Sequence, residues 1–266
     1  MVPRRDLAAR LAARRDLSPT VYSVTFALDG PFERPRAGQF VMVGAPVSGR
    51  PFWRRAFSPA AYRDGGLELM IREVGPGTAY WRRAPLGTEA TVLGPLGNGF
   101  GIGAGGGRIA AVAGGIGLPP VLLAVEEAAR EGRSADLYQG AATAEELLET
   151  ARCREAAAAA GGEFVATTDD GSAGEAGFVT AALEGRLAAR RYDLVVACGP
   201  LPMLRAIAGL CRRHGIEGRL ALEERMACGV GVCLGCVVPR AGGGHARVCA
   251  DGPVFGAEAL DWEALA

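Results

Sequence analysis

The chain is organised around the stretch Cys228-Gly-Val-Gly-Val-Cys233-Leu-Gly-Cys236, which is followed after twelve residues by Cys249. This pattern, C-x4-C-x2-C with a separate fourth cysteine, is the plant-type spacing of the thiolate ligands of a [2Fe–2S] cluster. The glycines within the stretch allow a tight loop whose backbone N–H groups can point at sulfur. The spacing therefore predicts that these four cysteines are metal ligands.

Two other interpretations of the cysteines remain open. A structural zinc site usually uses two C-x2-C pairs, whereas here the first gap is four residues and the last cysteine stands alone. A disulfide is disfavoured because the arginine-rich first residues, Met1 to Asp16, do not form a secretion signal. Seven cysteines without such a signal indicate metal or redox chemistry in a reducing compartment, and we expect a cytoplasmic location.

Length and charge narrow the class of protein. A chain of 266 residues is long enough for two domains and a small additional segment. The 29 basic and 29 acidic residues cancel, so no nucleic-acid partner is indicated. The longest uncharged run, Ile109 to Val125, is shorter than the ~18 residues typical of a membrane span and contains several glycines and prolines.

The first part of the chain, residues 1–103, is predicted to be all-β. In Val21 to Leu28, apolar and small polar residues alternate with the period of a half-buried strand. Phe40 to Val43, Leu67 to Ile71 and Thr91 to Leu93 are further strand candidates. Short turns rich in glycine and proline separate them, which is typical of a small antiparallel β-barrel.

Residues 104–222 are predicted to form an α/β domain with a parallel sheet, because strand and helix patterns alternate. The predicted strands are Arg108–Gly114, Ala135–Gln139, Phe164–Thr168, Leu194–Cys198 and Arg219–Leu222. The predicted helices are Val121–Ala129, one starting within Thr143–Thr150, Thr180–Arg190 and Leu201–His214. The last segment, 223–266, carries the cysteine loop and little other regular structure.

Two motifs of the predicted barrel could hold a flavin. In Arg54-Arg55-Ala56-Phe57-Ser58, an arginine can pair with a diphosphate, while the aromatic ring and the hydroxyl can contact the isoalloxazine. The alternative is that the arginines are simply solvated. In Ile71-Arg-Glu-Val-Gly-Pro-Gly77-Thr78, the start of a short helix can offer N–H groups and a hydroxyl to phosphate. The alternative there is a turn with a helix cap.

Two motifs of the α/β domain follow predicted strands and precede helices. Gly114-Gly115-Ile116-Gly117 can hold a pyrophosphate at a helix N-terminus, although it is not the full G-x-G-x-x-G and is also typical of a tight turn. Cys198-Gly199-Pro200 lies at the carboxyl end of a predicted strand, which is where ligands of open α/β sheets bind. Cys198 is therefore a candidate to lie beside a nicotinamide. The alternative is that Cys198 is an ordinary buried cysteine without a role in binding. Asn98-Gly99 alone predicts only a hairpin turn.

The order of these motifs resembles the ferredoxin reductase superfamily. Within it, the chain is most similar to the electron-transfer subunits of the two-subunit, NAD-dependent (class 1B) dihydroorotate dehydrogenases, over nearly its whole length. The most specific matching pieces are Gly94-Pro-Leu-Gly-Asn-Gly-Phe100, Thr168-Asp-Asp-Gly-Ser172 with Gly174 and Gly177, Glu223-Glu-Arg-Met-Ala-Cys-Gly229, and Val248-Cys-Ala-Asp-Gly-Pro-Val-Phe255.

The resemblance implies FAD on the barrel (1–103), NAD on the α/β domain (104–222) and one [2Fe–2S] cluster on the segment 223–266. The implied cluster ligands are again the four cysteines. The implied FAD contacts are Arg55, Ala56, Phe57, Ser58, Met70, Ile71, Arg72, Gly77 and Thr78. The candidate NAD-site residues are Gly114, Gly115, Gly117, Cys198 and Gly199.

Three positions depart from the family pattern. The family usually has proline where Ala56 stands and an aliphatic residue where Pro59 stands, which affects the geometry of the flavin loop. Arginine is common where this chain has Ala142. The missing arginine removes one partner for a 2′-phosphate and so favours NAD over NADP.

The implied function is an electron relay in pyrimidine biosynthesis. An FMN-containing catalytic subunit would oxidise dihydroorotate, and electrons would pass through the cluster and FAD to NAD⁺, in a heterotetramer with two copies of each subunit. We predict no catalytic residue in this chain, because no side chain is typical of the base that deprotonates dihydroorotate. His214 and His245 are both predicted to be surface residues.

Two rival functions remain open. One is the small subunit of an NADH-dependent ferredoxin:NADP transhydrogenase or sulfide dehydrogenase, which has the same cofactors and a different partner. The other is a non-enzymatic redox sensor or binding module that uses a flavin or a metal such as zinc.

Overall fold

The computed structural model describes residues 6–45, 53–104, 107–189 and 191–265. The first five residues of the predicted barrel, which are also the start of the arginine-rich terminus, lie outside this description. Arg190, the predicted end of one helix, lies outside it as well. No helix within the described ranges is long and apolar enough to cross a membrane.

Seven antiparallel strands form the N-terminal sheet, in the order β4-β3-β7-β1-β2-β6-β5. They are β1 Asp6–Asp16, β2 Val21–Leu28, β3 Phe40–Gly44, β4 Arg55–Phe57, β5 Pro59–Arg63, β6 Gly66–Arg72 and β7 Glu89–Leu96. The edge strand β4 returns to contact β6, so the sheet curls into the predicted barrel. A short helix, α1 (Pro76–Arg83), connects β6 and β7 and buries Trp81 against Phe26 in the barrel core.

The second sheet has the order β11-β10-β9-β8-β12-β13-β16 and is parallel except for its last strand. Its strands are β8 Arg108–Gly114, β9 Ser134–Ala141, β10 Phe164–Thr168, β11 Glu175–Ala176, β12 Leu194–Cys198, β13 Glu217–Ala221 and β16 Val254–Gly256. Its helices are α2 Leu118–Arg130, α3 Thr150–Ala159, α4 Val179–Leu187 and α5 Leu201–His214. Alternate residues of β8 face opposite sides, so α2 and α3 pack on one face of the sheet and α4 and α5 on the other.

The stretch 143–150, which is predicted to be the start of a helix, is mostly not helical. Only Ala144–Glu146 forms a single 3₁₀ turn, and α3 begins at Thr150. The physical reason is that Leu147 is extended and Glu149 has the left-handed backbone conformation, with φ of 49°. A continuous α-helix cannot pass through either residue.

The C-terminal segment contains more regular structure than the sequence predicts. Two short strands, β14 (Val237–Pro239) and β15 (His245–Arg247), pair in an antiparallel hairpin, and α6 (Val248–Asp251) follows. The strand β16 then joins the α/β sheet by pairing with β13. The cysteine-bearing segment is therefore built onto the α/β sheet rather than attached as a loose tail.

Candidate functional site

The structure brings the four cysteines of the C-terminal stretch together as two pairs. Cys236 Sγ lies 3.2 Å from Cys249 Sγ, and both side chains are buried. Cys228 and Cys233 form the second pair, because the Cys233 N–H donates to Cys228 Sγ at 3.5 Å. All seven cysteines of the chain lie in its described part, and each is a free thiol.

Backbone N–H groups point at these sulfurs, as the sequence predicts. Burial by itself raises the pKa of Cys228, but the N–H groups of Cys233 and Val230 outweigh it and hold the pKa at about 6. A second thiol behaves in the opposite way, because burial and the neighbouring Cys236 raise the pKa of Cys249 to about 12. The Gly231 N–H, from the loop between Cys228 and Cys233, opposes this rise by donating to Cys249. This contact links the two cysteine pairs. The donor set fits an iron–sulfur cluster, which takes four thiolates and is stabilised by such N–H groups.

Among the described residues, no group of three or more His, Cys, Asp or Glu side chains is arranged to hold a metal ion. The observed arrangement is instead two thiol pairs joined by one loop. Arg247 stabilises this loop by donating to Asp251 at 3.1 Å and to the Gly231 carbonyl at 3.3 Å.

The predicted flavin residues border a gap in the barrel. Among the described strands, β4 pairs only with β3 and is therefore an edge strand. On the opposite side of the gap, β5 pairs with β6 only as far as Leu69. The backbone of β6 from Met70 to Arg72 therefore has no described strand partner on this side. Because β4 and β6 lie close to each other without pairing among the described strands, the backbones of both strands border this gap.

Side chains on both borders of the gap are placed to meet a ligand. Arg55, Ala56, Phe57 and Ser58 are all half-buried. Met70 and Ile71, by contrast, bury their side chains in hydrophobic cores, so a ligand would meet them through the backbone.

The Arg55 guanidinium lies against Gly77 at the start of α1. A Cβ at Gly77 would be 2.7 Å from Arg55 Nε, so only glycine leaves room for this contact. The Thr78 hydroxyl accepts hydrogen bonds from the N–H groups of Val74 (2.9 Å) and Gly75 (3.2 Å), and it donates to the Gly75 carbonyl. This hydroxyl therefore shapes the loop, which is the capping role that the sequence left open.

Arg72 connects the barrel gap to the α/β domain. Its Nε is buried and has no hydrogen-bond partner in the described structure. Its Nη2 lies 3.1 Å from the position that a Cβ of Gly115 would occupy. A buried cationic donor without a partner needs an acceptor, and a phosphate at this junction would supply one.

The predicted NAD-site residues come together at the carboxyl ends of two neighbouring strands. Cys198 pairs in register with Ala113, one residue before Gly114. A Cβ at Gly199 would lie 3.0 Å from Gly114 Cα, and a Cβ at Gly117 would lie 2.8 Å from Gly199 N. The first role of these glycines is therefore steric, because they let the loop after β8 contact the loop after β12.

The helix that follows this loop is poorer in N–H donors than the sequence analysis assumes. Pro119 and Pro120 stand in the first turn of α2 and have no N–H groups to offer a phosphate. Burial and the nearby Glu223 raise the pKa of the Cys198 thiol to about 12, so this thiol stays neutral near the loop.

Sequence reasoning missed Met42, which lies between the flavin strand and the cysteine loop. Met42 is fully buried on β3 and pairs with Ala56 of β4. Its side chain also fills the space beside Gly229, where a Cβ would be 2.6 Å from Met42 Cγ. One side chain thus spans the distance from the predicted flavin strand to the loop of Cys228. No local pattern signals this contact, because it joins residues far apart in sequence.

Three protein-family models match the chain in the order of its three parts. An oxidoreductase FAD-binding domain matches residues 8–100, and an oxidoreductase NAD-binding domain matches residues 111–209. The iron-sulfur cluster binding domain of dihydroorotate dehydrogenase B matches residues 223–261. The predicted cofactors, FAD, NAD and an iron–sulfur cluster, are confirmed by these matches.

Known structures support the fold. A structure of the NADH-dependent reduced ferredoxin-NADP oxidoreductase, studied for flavin-based electron bifurcation, superposes with a TM-score of 0.84 at 25% identity and covers 96% of this chain and 90% of that chain. A ferredoxin NADP⁺ reductase from Neisseria gonorrhoeae superposes with a TM-score of 0.67 at 19% identity, covering 79% and 92% of the two chains, which shows the fold alone.

Curated relatives match over nearly the full length of both chains. The protein named dihydroorotate dehydrogenase B (NAD(+)), electron transfer subunit, from Caldanaerobacter subterraneus subsp. tengcongensis is 34% identical, with 96% of this chain and 98% of the relative covered. The protein of the same name from Bacillus caldolyticus is 38% identical, with 92% and 94% covered. Identity, coverage and domain order together show that this chain belongs to the family of dihydroorotate dehydrogenase B (NAD(+)) electron transfer subunits.

Proposed function

We propose that this chain passes electrons from an FMN-containing dihydroorotate dehydrogenase subunit to NAD⁺, through a [2Fe–2S] cluster and FAD. The observation that carries the proposal is the contact of Met42 with both the flavin strand and the cysteine loop. When bound, the cluster supplies one-electron steps, and FAD exchanges one-electron for two-electron chemistry. Each dihydroorotate oxidised gives up two electrons and two protons; NAD⁺ takes both electrons and one proton as hydride, and the other proton goes to solvent.

The chain's own residues hold and orient the groups. Cys228, Cys233, Cys236 and Cys249, which lie together as two pairs, would hold the cluster through their thiolates. Arg72 would donate from its unpartnered Nε to the FAD pyrophosphate.

The loops beside the α/β sheet favour NAD over NADP. At the carboxyl ends of β9 and β10, the Ala144 N–H donates to Ser172 Oγ, which in turn donates to Asp170. The position that carries arginine in many relatives of the superfamily is Ala142 here. A carboxylate at these joined loops repels a 2′-phosphate, so NADH should reduce the bound flavin much faster than NADPH does.

We propose that the catalytic subunit docks over the cysteine loop, in a cytoplasmic assembly with two copies of each subunit. Cys233 is exposed, and it is flanked by Val232 and Leu234, which are 79% and 59% exposed. Val230 and Val237 extend this apolar surface. Exposed apolar side chains around a redox group are typical of an interface, because docking there brings the partner close and excludes water.

Reconstitution with candidate catalytic subunits tests the function. We expect dihydroorotate-dependent reduction of NAD⁺ with a dihydroorotate dehydrogenase subunit. Ferredoxin-dependent reduction of NADP⁺ with another partner, and none with dihydroorotate, would instead support the transhydrogenase alternative. A flavin that NADH fails to bleach, or zinc without iron on metal analysis, would support the sensor.

A pair of matched variants tests the docking surface. Val232→Asp should weaken assembly with the catalytic subunit, whereas Leu86→Asp, at an equally apolar position that is 60% exposed on the barrel, should not. Both variants should keep the wild-type rate of flavin reduction by NADH. Equal assembly of the two variants with the partner would place the interface elsewhere.

A further inference from the structure

The barrel loop that follows β7 is hydrogen-bonded to the chain just after Cys249, the last cysteine of the stretch. Asn98, the only asparagine in the sequence, accepts a hydrogen bond at Oδ1 from the Val254 N–H (2.9 Å). Its Nδ2 donates to the Val254 carbonyl at 2.8 Å and to the Asp251 carbonyl at 3.4 Å. The Asn98 backbone N–H donates to the Gly252 carbonyl at 2.8 Å. The Asn98 side chain thus bonds to both the N–H and the carbonyl of Val254, as the backbone of a neighbouring strand would.

The neighbouring residue shows how closely the loop approaches. Gly97 has φ of +72°, which favours glycine, and a Cβ there would lie 2.5 Å from Pro253 Cδ and 2.8 Å from the Gly252 carbonyl. Only a glycine lets Asn98 reach Val254. A hairpin turn, which is all that Asn98-Gly99 predicts, requires none of these side-chain bonds.

The segment from Cys228 to Val254 is therefore held to the barrel at both ends. Its first end rests on Met42, through Gly229, and its second end is bound by Asn98. The remaining cysteines of the stretch lie between these two points. Met42 also pairs with the predicted flavin strand β4. The barrel therefore holds both that strand and the cysteine segment in place.

We infer that Asn98 is a positioning residue that fixes the distance between the cysteine pairs and the flavin strand. The inference rests on the proposed function, because it assigns Asn98 to the transfer between cluster and flavin. The described hydrogen bonds of Asn98 go to Asp251, Gly252 and Val254 rather than to a predicted ligand of either group. Its loss should therefore slow transfer between them and leave the reaction of NADH with the flavin intact.

Hydrogen exchange of the full chain tests the docking itself. Asn98→Ala removes both side-chain bonds to Val254, so exchange at the Val254 N–H should become about 5- to 30-fold faster. The control is Ser18→Ala, which removes the side-chain hydrogen bonds from the N–H groups of Thr20 and Val21, both within the barrel. It should leave exchange at 248–256 unchanged. Unchanged exchange there in Asn98→Ala would overturn the inference.

Single-turnover kinetics on the protein loaded with FAD and cluster test the consequence. In Asn98→Ala, bleaching of the flavin by NADH should keep its wild-type rate, while the subsequent reduction of the cluster slows several-fold. Equal slowing of both steps would indicate general loss of structure and overturn the positioning role. A wild-type chain that fails with dihydroorotate refutes the proposed function instead, whereas a working wild type with an unaffected Asn98→Ala refutes the inference alone.

Discussion

Replacing Arg72 with glutamine is expected to weaken FAD binding by about 10- to 150-fold. Arg72 Nε is buried without a partner beside the barrel gap, and Nη2 lies close to Gly115 of the α/β domain. A hydrogen bond from a charged donor contributes about 1.5–3 kcal/mol. Dividing this range by about 1.4 kcal/mol per tenfold change in Kd gives the expected loss of affinity.

The apoprotein is titrated into FAD, and binding is monitored by the quenching of flavin fluorescence. The matched control is Arg63→Gln on β5, whose side chain is 69% exposed and lies 3.7 Å from Glu126. An exposed ion pair of this kind contributes about 0–1 kcal/mol, so the control should bind FAD as the wild type does. Arg72→Lys keeps the charge but not the Nε donor and should lie between the two.

Thermal unfolding of the apoproteins separates binding from folding. Arg72→Gln should unfold close to the wild-type temperature, because the lost Nε bond is made to the ligand rather than within the chain. Equal FAD affinity in Arg72→Gln and wild type would refute the assignment. An equal loss in Arg63→Gln would show that only the net charge of the barrel matters.

Three further predictions follow from single contacts. Gly117→Ala should raise the KM for NADH in flavin reduction and lower the melting temperature, because its Cβ would overlap the Cys198 carbonyl; an unchanged KM contradicts this. Cys233→Ser should abolish the iron content and the cluster absorbance but leave bleaching of the flavin by NADH at its wild-type rate. Burial raises the pKa of Cys153 from 9.0 to about 12. Above about pH 9 the unfolded chain loses this proton and the folded state keeps it, so this thiol alone should lower the free energy of unfolding by about 1.4 kcal/mol per pH unit. Guanidinium titrations should therefore show a shallower fall in Cys153→Ala than in the wild type.

Regular elements were predictable where one periodic signal ran between clear breaks. Arg108–Gly114, Phe164–Thr168 and Leu201–His214 have the bounds that the sequence predicts. The strand β1 was not predictable in this way, although its buried Leu7, Ala9 and Leu11 alternate with exposed residues. Small alanines and arginines hide that alternation, and pairing with β2 and β7 makes the strand.

The strand β5 was missed for a related reason. It contains a proline and two alanines, which disfavour a strand by local propensity. It forms because β6 offers a partner and because an edge position tolerates proline. Tertiary pairing here outweighs the local signal.

The candidate site divides in the same way. The cysteine spacing is local, so the sequence predicts these four cysteines as ligands, and the structure brings their thiols together in two pairs. The contacts between Met42 and Gly229 and between Asn98 and Val254 join positions more than 150 residues apart, and no spacing rule reports them. What the sequence lacked was therefore the geometry that relates the predicted flavin strand to the cysteine segment.

That geometry bears on the expectation that this chain carries no catalytic base. His214 and His245 are both exposed, as predicted, and the thiol nearest the nucleotide loop stays protonated. Fixed distances are required instead, and domains of one chain move relative to each other unless their interface is large and apolar. Here Ala60 and Met70 of the barrel share one hydrophobic core with the α/β domain.

A polar clamp stabilises the same interface. Arg152 of α3 donates to Glu68 of β6 at 3.1 Å, to the Ala60 carbonyl at 2.8 Å and to Glu126 of α2 at 2.9 Å. Its side chain is only 19% exposed, so breaking the clamp would leave a mostly buried charge without partners. The clamp holds the α/β domain on one side of the barrel, while Asn98 holds the cysteine segment on another. A barrel fixed on both sides therefore holds its predicted flavin strand in place relative to both the α/β domain and the cysteine segment.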